Sequence, residues 1–329
     1  MDVKKIKDDI ENKILNSENV IIVPHNNADF DAIASALGIS LLAKNLGKQS
    51  CIVITDPLYI LDIGVKSIID ESKKSFNIIN KDKYKCISDK NDLFIAVDVN
   101  KRHLMGISEL MNDENNIIII DHHNSGDDTI NAKYKYIYPN YSSTSELVSN
   151  LLMESNIKID KLMANYLYAG IYLDTAKLTK NYNANTMITI AKLLDYGANI
   201  NKVNSFFKED FYSDRKVQGL VNNVQMINCM LALIVGSEDI EYTREEIAKA
   251  ADYALKYGAD ATFAIGKIED NIVSISGRSA EKIDIGMIMN ELGGGGNQYS
   301  GAAKLKNITV EETSKKLKKV LKPSYYIED

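Results

Sequence analysis

The amino-acid sequence predicts an α/β protein whose first half is built on a parallel sheet. Short runs that are almost wholly apolar alternate with stretches of helical periodicity, as in sheets covered on both faces. The strand candidates are Val20–Pro24, Ser50–Thr55, Asp92–Val97 and Ile117–Ile120. The predicted helices are Asp31–Leu46 with a stop at Gly47, one that starts in the capping-box pattern Ser143–Glu146, Asp160–Tyr172, and Ala184–Tyr196.

A smaller α/β module is predicted in the second half. Residues 199–225 are rich in asparagine and charge and are read as a hinge helix and linker, which divides the chain into domains 1–198 and 226–329. The predicted elements of the module are a strand Met230–Val235, a helix from Thr243–Glu246 to about Gly258, a hairpin of Ala261–Ile268 and Asn271–Arg278, a helix Asp284–Leu292, a glycine loop Gly293–Gly296, a strand Ala302–Leu305 and a helix capped by Thr309–Glu312.

Composition is that of a globular protein, and it excludes a bulk basic surface. The chain has 329 residues with 45% hydrophobic and 26% charged, and 39 basic against 45 acidic residues give a net charge of −6. No long nucleic acid is expected as a partner. Cys51, Cys86 and Cys229 are scattered, no secretory apolar core is present, and no run is long enough for a membrane span. We therefore expect a cytoplasmic protein without a membrane partner.

Histidine is rare in this chain, and most of it lies beside aspartate. Of the 4 histidines, His25 begins the run His-Asn-Asn-Ala-Asp-Phe-Asp, whereas His122 and His123 follow Asp121 directly. Taken singly, an aspartate at a strand end is often a helix cap, and a lone histidine is often a hydrogen-bonded structural group. The joint pattern is less easily explained in that way. His103 stands outside it and is interpreted as a surface or packing residue.

Three of these polar groups follow predicted strands. His25 comes after the first strand, Asp98 after Phe94–Val97, and Asp121 after the isoleucine run. Because the carboxyl ends of parallel strands meet at one crevice, these groups should converge, and Asp174 after the helix Asp160–Tyr172 can join from the crevice wall. Mixed imidazole and carboxylate ligands suit divalent ions such as manganese, and several carboxylates suit a pair of ions.

The order of these motifs resembles the DHH phosphoesterase superfamily: His-x-x-x-Asp-x-Asp, then Val-Asp, then Asp-His-His, then a late Asp-Thr. The similarity covers nearly the whole chain, since Ser276–Ser279 followed by Gly293–Gly296 resembles the DHH-associated domain. The resemblance implies a Rossmann-like catalytic domain, a smaller C-terminal domain and an active site in the cleft between them. The segment from Asp121 to Val148 looks most like the catalytic part of cyclic di-AMP phosphodiesterases, whereas the length of the chain resembles the stand-alone nanoRNase type.

The resemblance also implies roles for individual residues. One metal ion would be held by His25, Asp29 and Asp98, and a second by Asp31, Asp98, His122 and Asp174, so that Asp98 bridges. Asp121 would orient its neighbours, and His123 would contact the scissile phosphate. The implied cofactors are two divalent ions, manganese preferred, with magnesium or cobalt as alternatives. The implied catalytic residues are Asp98, Asp121 and His123.

The second domain is expected to recognise substrate. Four consecutive glycines let backbone amides approach a phosphate or base closely, and Arg278 offers a guanidinium one strand away. The family usually has a histidine directly after the glycines, where this chain has Asn297. The predicted substrate-binding residues are Arg278, Ser279, Gly294, Gly295, Gly296 and Asn297.

The preferred function is a two-metal phosphodiesterase that hydrolyses cyclic di-AMP or its linear dinucleotide product. The alternative is a nanoRNase or pAp phosphatase that acts on short oligonucleotides. A catalytically silent nucleotide-binding protein, motivated by Asn297 alone, and a manganese pyrophosphatase, disfavoured by the glycine run and Arg278, rank lower. The expected partner is a small nucleotide, and a homodimer is left open.

Overall fold

The chain folds as two compact units, Met1–Lys208 and Glu209–Asp329. The computed structural model describes residues 3–58, 61–85, 89, 91–208, 211–227, 231–256, 258–280 and 283–321. The two units divide inside the segment that was predicted as hinge and linker. Residues Ile200–Phe206 form a helix of the first unit, and Phe211–Val221 form a helix of the second. Cys86, Cys229, Met230 and Tyr257 lie outside the described residues.

The first unit contains a six-stranded sheet in which every pairing is parallel. Its strands are β1 (Val20–Val23), β2 (Ser50–Ile54), β3 (Asn77–Asn80), β4 (Leu93–Val97), β5 (Ile117–Asp121) and β6 (Tyr134–Ile137), in the order β3-β2-β1-β4-β5-β6. Its helices are α1 (Val3–Leu15), α2 (Phe30–Asn45), α3 (Ile63–Ser72), α4 (Lys81–Lys85), α5 (Thr144–Glu154), α6 (Lys161–Asp174), α7 (Ala184–Asp195) and α8 (Ile200–Phe206). The predicted parallel α/β class is confirmed.

The continuous apolar strands have the physical reason that the sequence suggested, because both faces of this sheet are buried. One face carries Ile22, Ile95 and Ile120 and packs against a cluster that includes residues of α2, α5 and α6. The other face carries Val23, Ala96 and Ile119. It is covered by α4, by residues 99–116, which contain three single-turn 3₁₀ helices instead of regular α-helices, and by residues 130–132. A side chain on either face of these strands therefore avoids water.

The second unit has its own six-stranded sheet, which is mixed: β8 and β9 pair in parallel and the other pairings are antiparallel. Its strands are β7 (Val224–Met226), β8 (Leu231–Val235), β9 (Ala261–Glu269), β10 (Ile272–Ser279), β11 (Gly295–Gly296) and β12 (Ser300–Lys306), in the order β11-β12-β10-β9-β8-β7. Its helices are α9 (Phe211–Val221), α10 (Arg244–Leu255), α11 (Ile285–Glu291) and α12 (Val310–Val320). The predicted hairpin is β9 and β10, and the smaller α/β module is confirmed.

The glycine run differs from the prediction of a loop. Gly295 and Gly296 form strand β11, which pairs with Ala302 and Gly301 of β12. A side chain on Gly294 would strike the backbone of Ala302 and Ala303, and one on Gly296 would strike that of Ser300 and Gly301. Part of the run is therefore explained by close packing of two backbones.

Helix α2 is buried around most of its circumference, which suits its place between the sheet and two other helices. Phe30, Ala34, Leu37 and Ile39 are all buried within it. The helix begins at Asp29, whose carboxylate accepts hydrogen bonds from two amides of the first turn. Among the described residues, no helix has the length and apolar character needed to cross a membrane.

Replacing Gly64 in α3 by alanine should destabilise the first unit. The added methyl would meet the backbone carbonyl of Phe206 in α8 and the ring of Phe30, and a backbone group cannot move aside without shifting a helix. We expect a loss of about 1–3 kcal/mol in the free energy of unfolding, measured by urea denaturation.

Gly219 in α9 provides the matched control, because nothing lies within 4 Å of a methyl added there. Gly219→Ala should stabilise by about 0.5–1 kcal/mol through the better helix propensity of alanine. An unchanged denaturation midpoint for Gly64→Ala would contradict the packing of α3 against α8.

Candidate metal centre

The predicted ligands converge where the strand order reverses. Strand β1 lies between β2 and β4, so the chain progresses outward in one direction from β1 and in the other from β4. His25 follows β1 after Pro24, Asp98 follows β4, and Asp121 is the last residue of β5. A crevice forms at the carboxyl ends of the strands at such a reversal, which places these three groups at one edge.

His25 presents its Nε2 atom to two carboxylates. This atom lies 3.7 Å from Oδ1 of Asp29 and 3.5 Å from Oδ2 of Asp98. On the other side of the ring, Nδ1 is 2.7 Å from the carbonyl of Asn26, which can only accept a hydrogen bond. Nδ1 therefore carries a proton, and in the neutral ring Nε2 has the lone pair that a metal ion requires.

Asp31 is fully buried and is held by the first turn of α5. Its Oδ2 accepts a hydrogen bond from the amide of Thr144, and its Oδ1 accepts one from the amide of Ser145, both at 2.7 Å. These amides belong to the helix N-terminus, where backbone donors are unpaired and the helix dipole favours negative charge. Two residues more than 110 positions away thus fix the orientation of this carboxylate.

Asp98 lies at the centre of the cluster in an unusual backbone conformation. Its φ of 59° is in the left-handed region that residues with a Cβ seldom adopt. The Oδ1 atom accepts a hydrogen bond from Oγ1 of Thr144 at 2.9 Å and lies 3.6 Å from Nε2 of His122. Because Oδ2 faces His25, the two oxygens of one carboxylate face two different histidines.

His122 and Asp174 complete the group around Asp31. Nε2 of His122 lies 3.0 Å from Oδ2 of Asp174 and 4.0 Å from Oδ2 of Asp31. Asp174 is the last residue of α6, so the helix continues to this aspartate and does not end at Tyr172 as predicted. Helix α6 therefore delivers this carboxylate to the strand ends.

Asp121 organises the two histidines that follow it. Its Oδ1 accepts from the amides of His122 and His123 at 2.8 and 3.1 Å, and it lies 2.9 Å from Nδ1 of His123. This contact raises the pKa of His123 to about 9. It occupies Nδ1, so Nε2 is the ring nitrogen that remains for other contacts, and the side chain is 58% exposed. His103 is separate from the cluster, exposed and 3.4 Å from Asp128.

The carboxylates of the cluster are buried and close together, so nearby positive charge would stabilise their ionised forms. Burial raises the pKa of Asp31 well above its usual range, and the charges of Asp98, Asp174 and Asp29 raise it further. Burial also raises the pKa of Asp98. Burial alone would lower the pKa of His25, but hydrogen bonds to Asp29 and Asp98 outweigh it and raise this pKa to about 11. Without another cation, the histidines must hold protons to balance these carboxylates.

The residues present fit divalent cations. Three groups of residues each bring their ligand atoms within 4.8 Å of one another. They are His25, Asp29 and Asp98; Asp31, His122 and Asp174; and Asp98, His122 and His123. Among the described residues, Nε2 of His122 is buried and makes no hydrogen bond of good geometry, although it lies 3.0 Å from Oδ2 of Asp174. A buried ring nitrogen that faces carboxylates in this way suits a metal ligand. The first group is the first ligand set that the family resemblance implies, and the second group contains three of the four ligands of the other set.

Sequence reasoning did not identify Thr144, Ser145 or Glu146 as parts of this region. The pattern at 143–146 predicted a helix start, and Ser143 does accept from the amide of Glu146. The carboxylate of Glu146 does not close the predicted capping box. It is buried and accepts from the amide and hydroxyl of Ser142 and from Oγ1 of Thr186. The sequence feature that could have indicated their role is the run of hydroxyl residues Ser142–Ser145, which is buried in the structure.

Two of the predicted substrate-binding residues of the second unit, Arg278 and Ser279, already make hydrogen bonds within that unit. Nε of Arg278 donates to Asp252 at 2.7 Å, and Nη1 donates to Oγ of Ser276 at 3.0 Å. Ser279 is buried, with its hydroxyl donating to the carbonyl of Asp260. Substrate binding by Ser279 stays a prediction, and its hydroxyl already has a structural partner.

Asn297 closes the turn that joins β11 to β12. Its Oδ1 accepts hydrogen bonds from the amides of Tyr299 and Ser300, both at 2.9 Å. A methyl added to Gly295, in contrast, would have Oδ1 of Asn290, at 3.8 Å, as its neighbour. Packing therefore explains Gly294 and Gly296, whereas the missing side chain of Gly295 leaves open space.

Comparison with known protein families gives two matches along the chain. Residues 19–171 match the DHH family N-terminal domain, and residues 223–323 match the DHHA1 domain. The first match contains every predicted metal ligand except Asp174, which lies three residues beyond it. The second contains Arg278, the glycine run and Asn297.

Curated relatives include enzymes named for a cyclic dinucleotide. The chain is 32% identical over 315 residues to the cyclic-di-AMP phosphodiesterase GdpP of Bacillus subtilis, covering 93% of this chain and 48% of that one. It is 29% identical over 316 residues to the cyclic-di-AMP phosphodiesterase PdeA of Listeria monocytogenes, covering 94% and 48%. The chain thus spans about half the length of these relatives.

A solved structure supports the fold. An exopolyphosphatase-related protein from Bacteroides fragilis superposes with a TM-score of 0.81 at 21% identity, covering 98% of this chain and 97% of that one. At this identity the likeness concerns architecture alone.

Replacing Thr144 by valine should weaken metal binding. The change keeps the shape of the side chain but removes the hydroxyl that donates to Asp98, and partners of this kind typically contribute about 10- to 100-fold in affinity. Titration with Mn²⁺, followed by calorimetry, measures the change. Thr144→Ser keeps the donor and should bind as the unchanged protein does. Equal affinity of the valine and serine variants would contradict a role for this hydrogen bond.

Proposed function

Because the chain belongs to the DHH family and carries a DHHA1 domain, we propose that it is a two-metal phosphodiesterase acting on a dinucleotide. The substrate would be cyclic di-AMP or the linear dinucleotide released from it, in line with the names of the relatives from Bacillus and Listeria. The observation that carries the proposal is the pair of ligand groups on either side of Asp98, whose two carboxylate oxygens face His25 and His122.

The proposed ligand sets are those that the family resemblance implies, and this geometry supports them. His25, Asp29 and Asp98 would hold one divalent ion, and the other would be held by Asp31, Asp98, His122 and Asp174. Mixed imidazole and carboxylate donors favour manganese, with magnesium or cobalt as alternatives. Bound at this position, such ions supply Lewis acidity toward a phosphate and make water acidic enough to act as a nucleophile near neutral pH.

The chain's own groups position these ligands and the substrate. Asp31 is oriented by the amides of α5, and Asp98 by Thr144. Asp121 holds Nδ1 of His123, so that Nε2 is the nitrogen available to donate a hydrogen bond to a phosphate oxygen. We assign His123 to substrate contact, and Asp121 to orienting it. No side chain needs to form a covalent bond with phosphorus.

The second unit would contribute recognition of the nucleotide. Arg278 is anchored by Asp252 and Ser276 on one side, and such an anchored guanidinium suits a phosphate or a base edge. Gly294, Gly295, Gly296 and Asn297 remain the proposed backbone contacts, with Gly295 favoured by the open space around it.

The alternative functions have different support. A nanoRNase or pAp phosphatase would use the same metal centre, so substrate tests must separate it from the preferred function. Asn297, in place of the family histidine, is the reason for considering a catalytically silent binding protein. Its side-chain oxygen accepts hydrogen bonds from two backbone amides, which gives this asparagine a structural role in the turn. The pyrophosphatase is disfavoured by the DHHA1 match over residues 223–323.

A substrate panel tests the proposal directly. Purified protein with Mn²⁺ is incubated with cyclic di-AMP, pApA, pAp and pyrophosphate, and the products are resolved by chromatography. We expect hydrolysis of the dinucleotides and little release from pyrophosphate. Asp98→Ala should abolish turnover, because both ligand sets lose a member. Undiminished turnover in that variant would contradict the two-metal proposal, and hydrolysis of pAp alone would favour the phosphatase.

His123→Ala separates substrate contact from metal binding. We expect the variant to retain metal in elemental analysis while kcat falls by about 100-fold or more, since a group that contacts the reacting phosphate is lost. His103→Ala is the control, because His103 is an exposed histidine away from the cluster. Loss of metal from His123→Ala would show that the roles of His122 and His123 had been exchanged.

Arg278→Ala should raise the KM for pApA by about 10-fold or more, because a charged contact to an anionic substrate is removed. Hydrolysis of a small artificial phosphodiester should change little, because that molecule is too small to need the second unit. Asp252→Asn weakens the ion pair but keeps the guanidinium and serves as the control. Equal losses on both substrates would point to a structural role for Arg278.

A further inference from the structure

A polar cavity of about 500 Å³ opens beside the metal centre, entirely within the first unit. Its lining includes His122, His123 and Asp174, which the proposed function already uses, and also Asn140, Asn181 and Tyr182, which it does not. The volume lies in the range of sites for small molecules. Asn140, Asn181 and Tyr182 are therefore candidates to contact another part of a substrate whose phosphate is bound at the candidate metal centre.

Tyr182 places a large ring at this cavity without a protein partner. The side chain is 48% exposed. Within the described part of the chain, its ring stacks on no other ring and its hydroxyl makes no hydrogen bond. A nucleobase has a flat apolar face that covers such a ring, and stacking of this kind tolerates any base.

Two asparagine side chains offer hydrogen bonds at the same cavity. In the described residues the amides of Asn140 and Asn181 have no partner, whereas that of Asn183 caps α7 and donates to the carbonyl of Asn140 at 3.2 Å. Asn183 thereby fixes the wall, and the other two remain available. A side-chain amide donates and accepts side by side, which matches the N6 and N7 positions of adenine.

The segment that carries Tyr182 is held in a strained backbone conformation. Ala176, Lys177 and Leu178 follow one another at φ of 45°, 63° and 62°, and Asn181 has a φ of 56°. Residues with a Cβ avoid this region, and a consecutive run is rarer still. Thr175 stabilises it, since its carbonyl accepts from the amides of residues 179 and 180 and its hydroxyl from that of residue 178.

The strained turn has a geometric result. Helix α6 ends at Asp174, and the left-handed turn directly after it returns the chain so that Asn181 and Tyr182 line the same cavity as that aspartate. A relaxed helix end would carry them elsewhere. Strain that is retained next to reacting groups is typical of segments with a functional task.

We propose that this cavity is a nucleobase subsite of the first unit, in which Tyr182 stacks on one base of the substrate while Asn140 and Asn181 contact its edge. Adenine is the base whose edge the amides complement best. The inference rests on the proposed function for the identity of the substrate as a dinucleotide. It adds a recognition element that is independent of Arg278 and the glycine run.

The test compares Tyr182→Ala, Tyr182→Phe and Tyr196→Ala in the full chain. Tyr196 is 38% exposed in the same unit and does not line the cavity, so it controls for loss of a surface tyrosine. We expect Tyr182→Ala to raise the KM for pApA and the Kd for AMP by about 5- to 100-fold, as loss of base stacking does. The kcat should change by less than about twofold, and Tyr182→Phe should resemble the unchanged protein because the ring remains.

Synthetic analogues of pApA that lack one base or the other identify the contact. If Tyr182 stacks on a given base, removing that base and removing the ring should not have additive effects. Additive effects with both analogues, or an unchanged KM in Tyr182→Ala, would overturn the subsite. The two amides are tested in the same assays with Asn140→Ala and Asn181→Gly, because glycine can keep the left-handed backbone of residue 181. Both variants should show a reduced preference for adenine over uracil dinucleotides. An undiminished preference in both would overturn the assignment of the amides.

The two proposals fail in different ways. Turnover of pApA that is indifferent to Tyr182 would overturn the subsite and keep the phosphodiesterase. AMP binding that depends on Tyr182, together with no hydrolysis of any dinucleotide, would overturn the phosphodiesterase and keep the subsite.

Discussion

The first unit is organised around the repulsion between four carboxylates. Asp29 and Asp31 lie at the start of α2, Asp98 follows β4, and Asp174 ends α6. Asp31 and Asp98 are almost completely buried. Isolated buried charges of one sign would not be tolerated. The structure offsets the repulsion with three histidines and with the amides of α5, and divalent cations would neutralise what remains.

Backbone conformations that are individually unfavourable are concentrated around this cluster. Asp98 adopts a left-handed φ at the end of β4, and its amide still donates to the carbonyl of Ile120 at 2.9 Å. That hydrogen bond continues the pairing with β5 and holds the aspartate at the sheet edge. The left-handed run after Asp174 is held by Thr175 in a similar way. Strain of about 1–3 kcal/mol for each such residue persists only where neighbouring structure over-determines it.

Much of the architecture could be predicted because strand ends carry information in the sequence. Apolar runs that stop at His25, Asp98 and Asp121 predict both the strands and the convergence of their last residues. The contact of Asp31 with α5 could not be predicted in this way, because it joins residues more than 110 positions apart through backbone amides that any residue supplies. Helix α1 was not predicted: Ile6, Ile10 and Ile14 follow a helical repeat, but the many charged residues between them make its apolar face narrow.

The second unit shows why a motif alone underdetermines a site. The glycine run suggested a phosphate loop, yet Gly294 and Gly296 are required by the backbone of β12, and the oxygen of Asn297 is occupied by the turn. What remains for a ligand is the open space at Gly295 and the exposed part of Arg278. The first unit, in contrast, combines its candidate ligands with an adjoining cavity lined by Tyr182, Asn140 and Asn181, whose side chains have no partner among the described residues. Because the four carboxylates would repel the anionic substrate proposed above, cations would have to be in place before its phosphate could approach them. Contacts that hold the uncharged base, as Tyr182 would in the proposed subsite, are free of that repulsion and would therefore contribute to binding whatever the charge of the cluster.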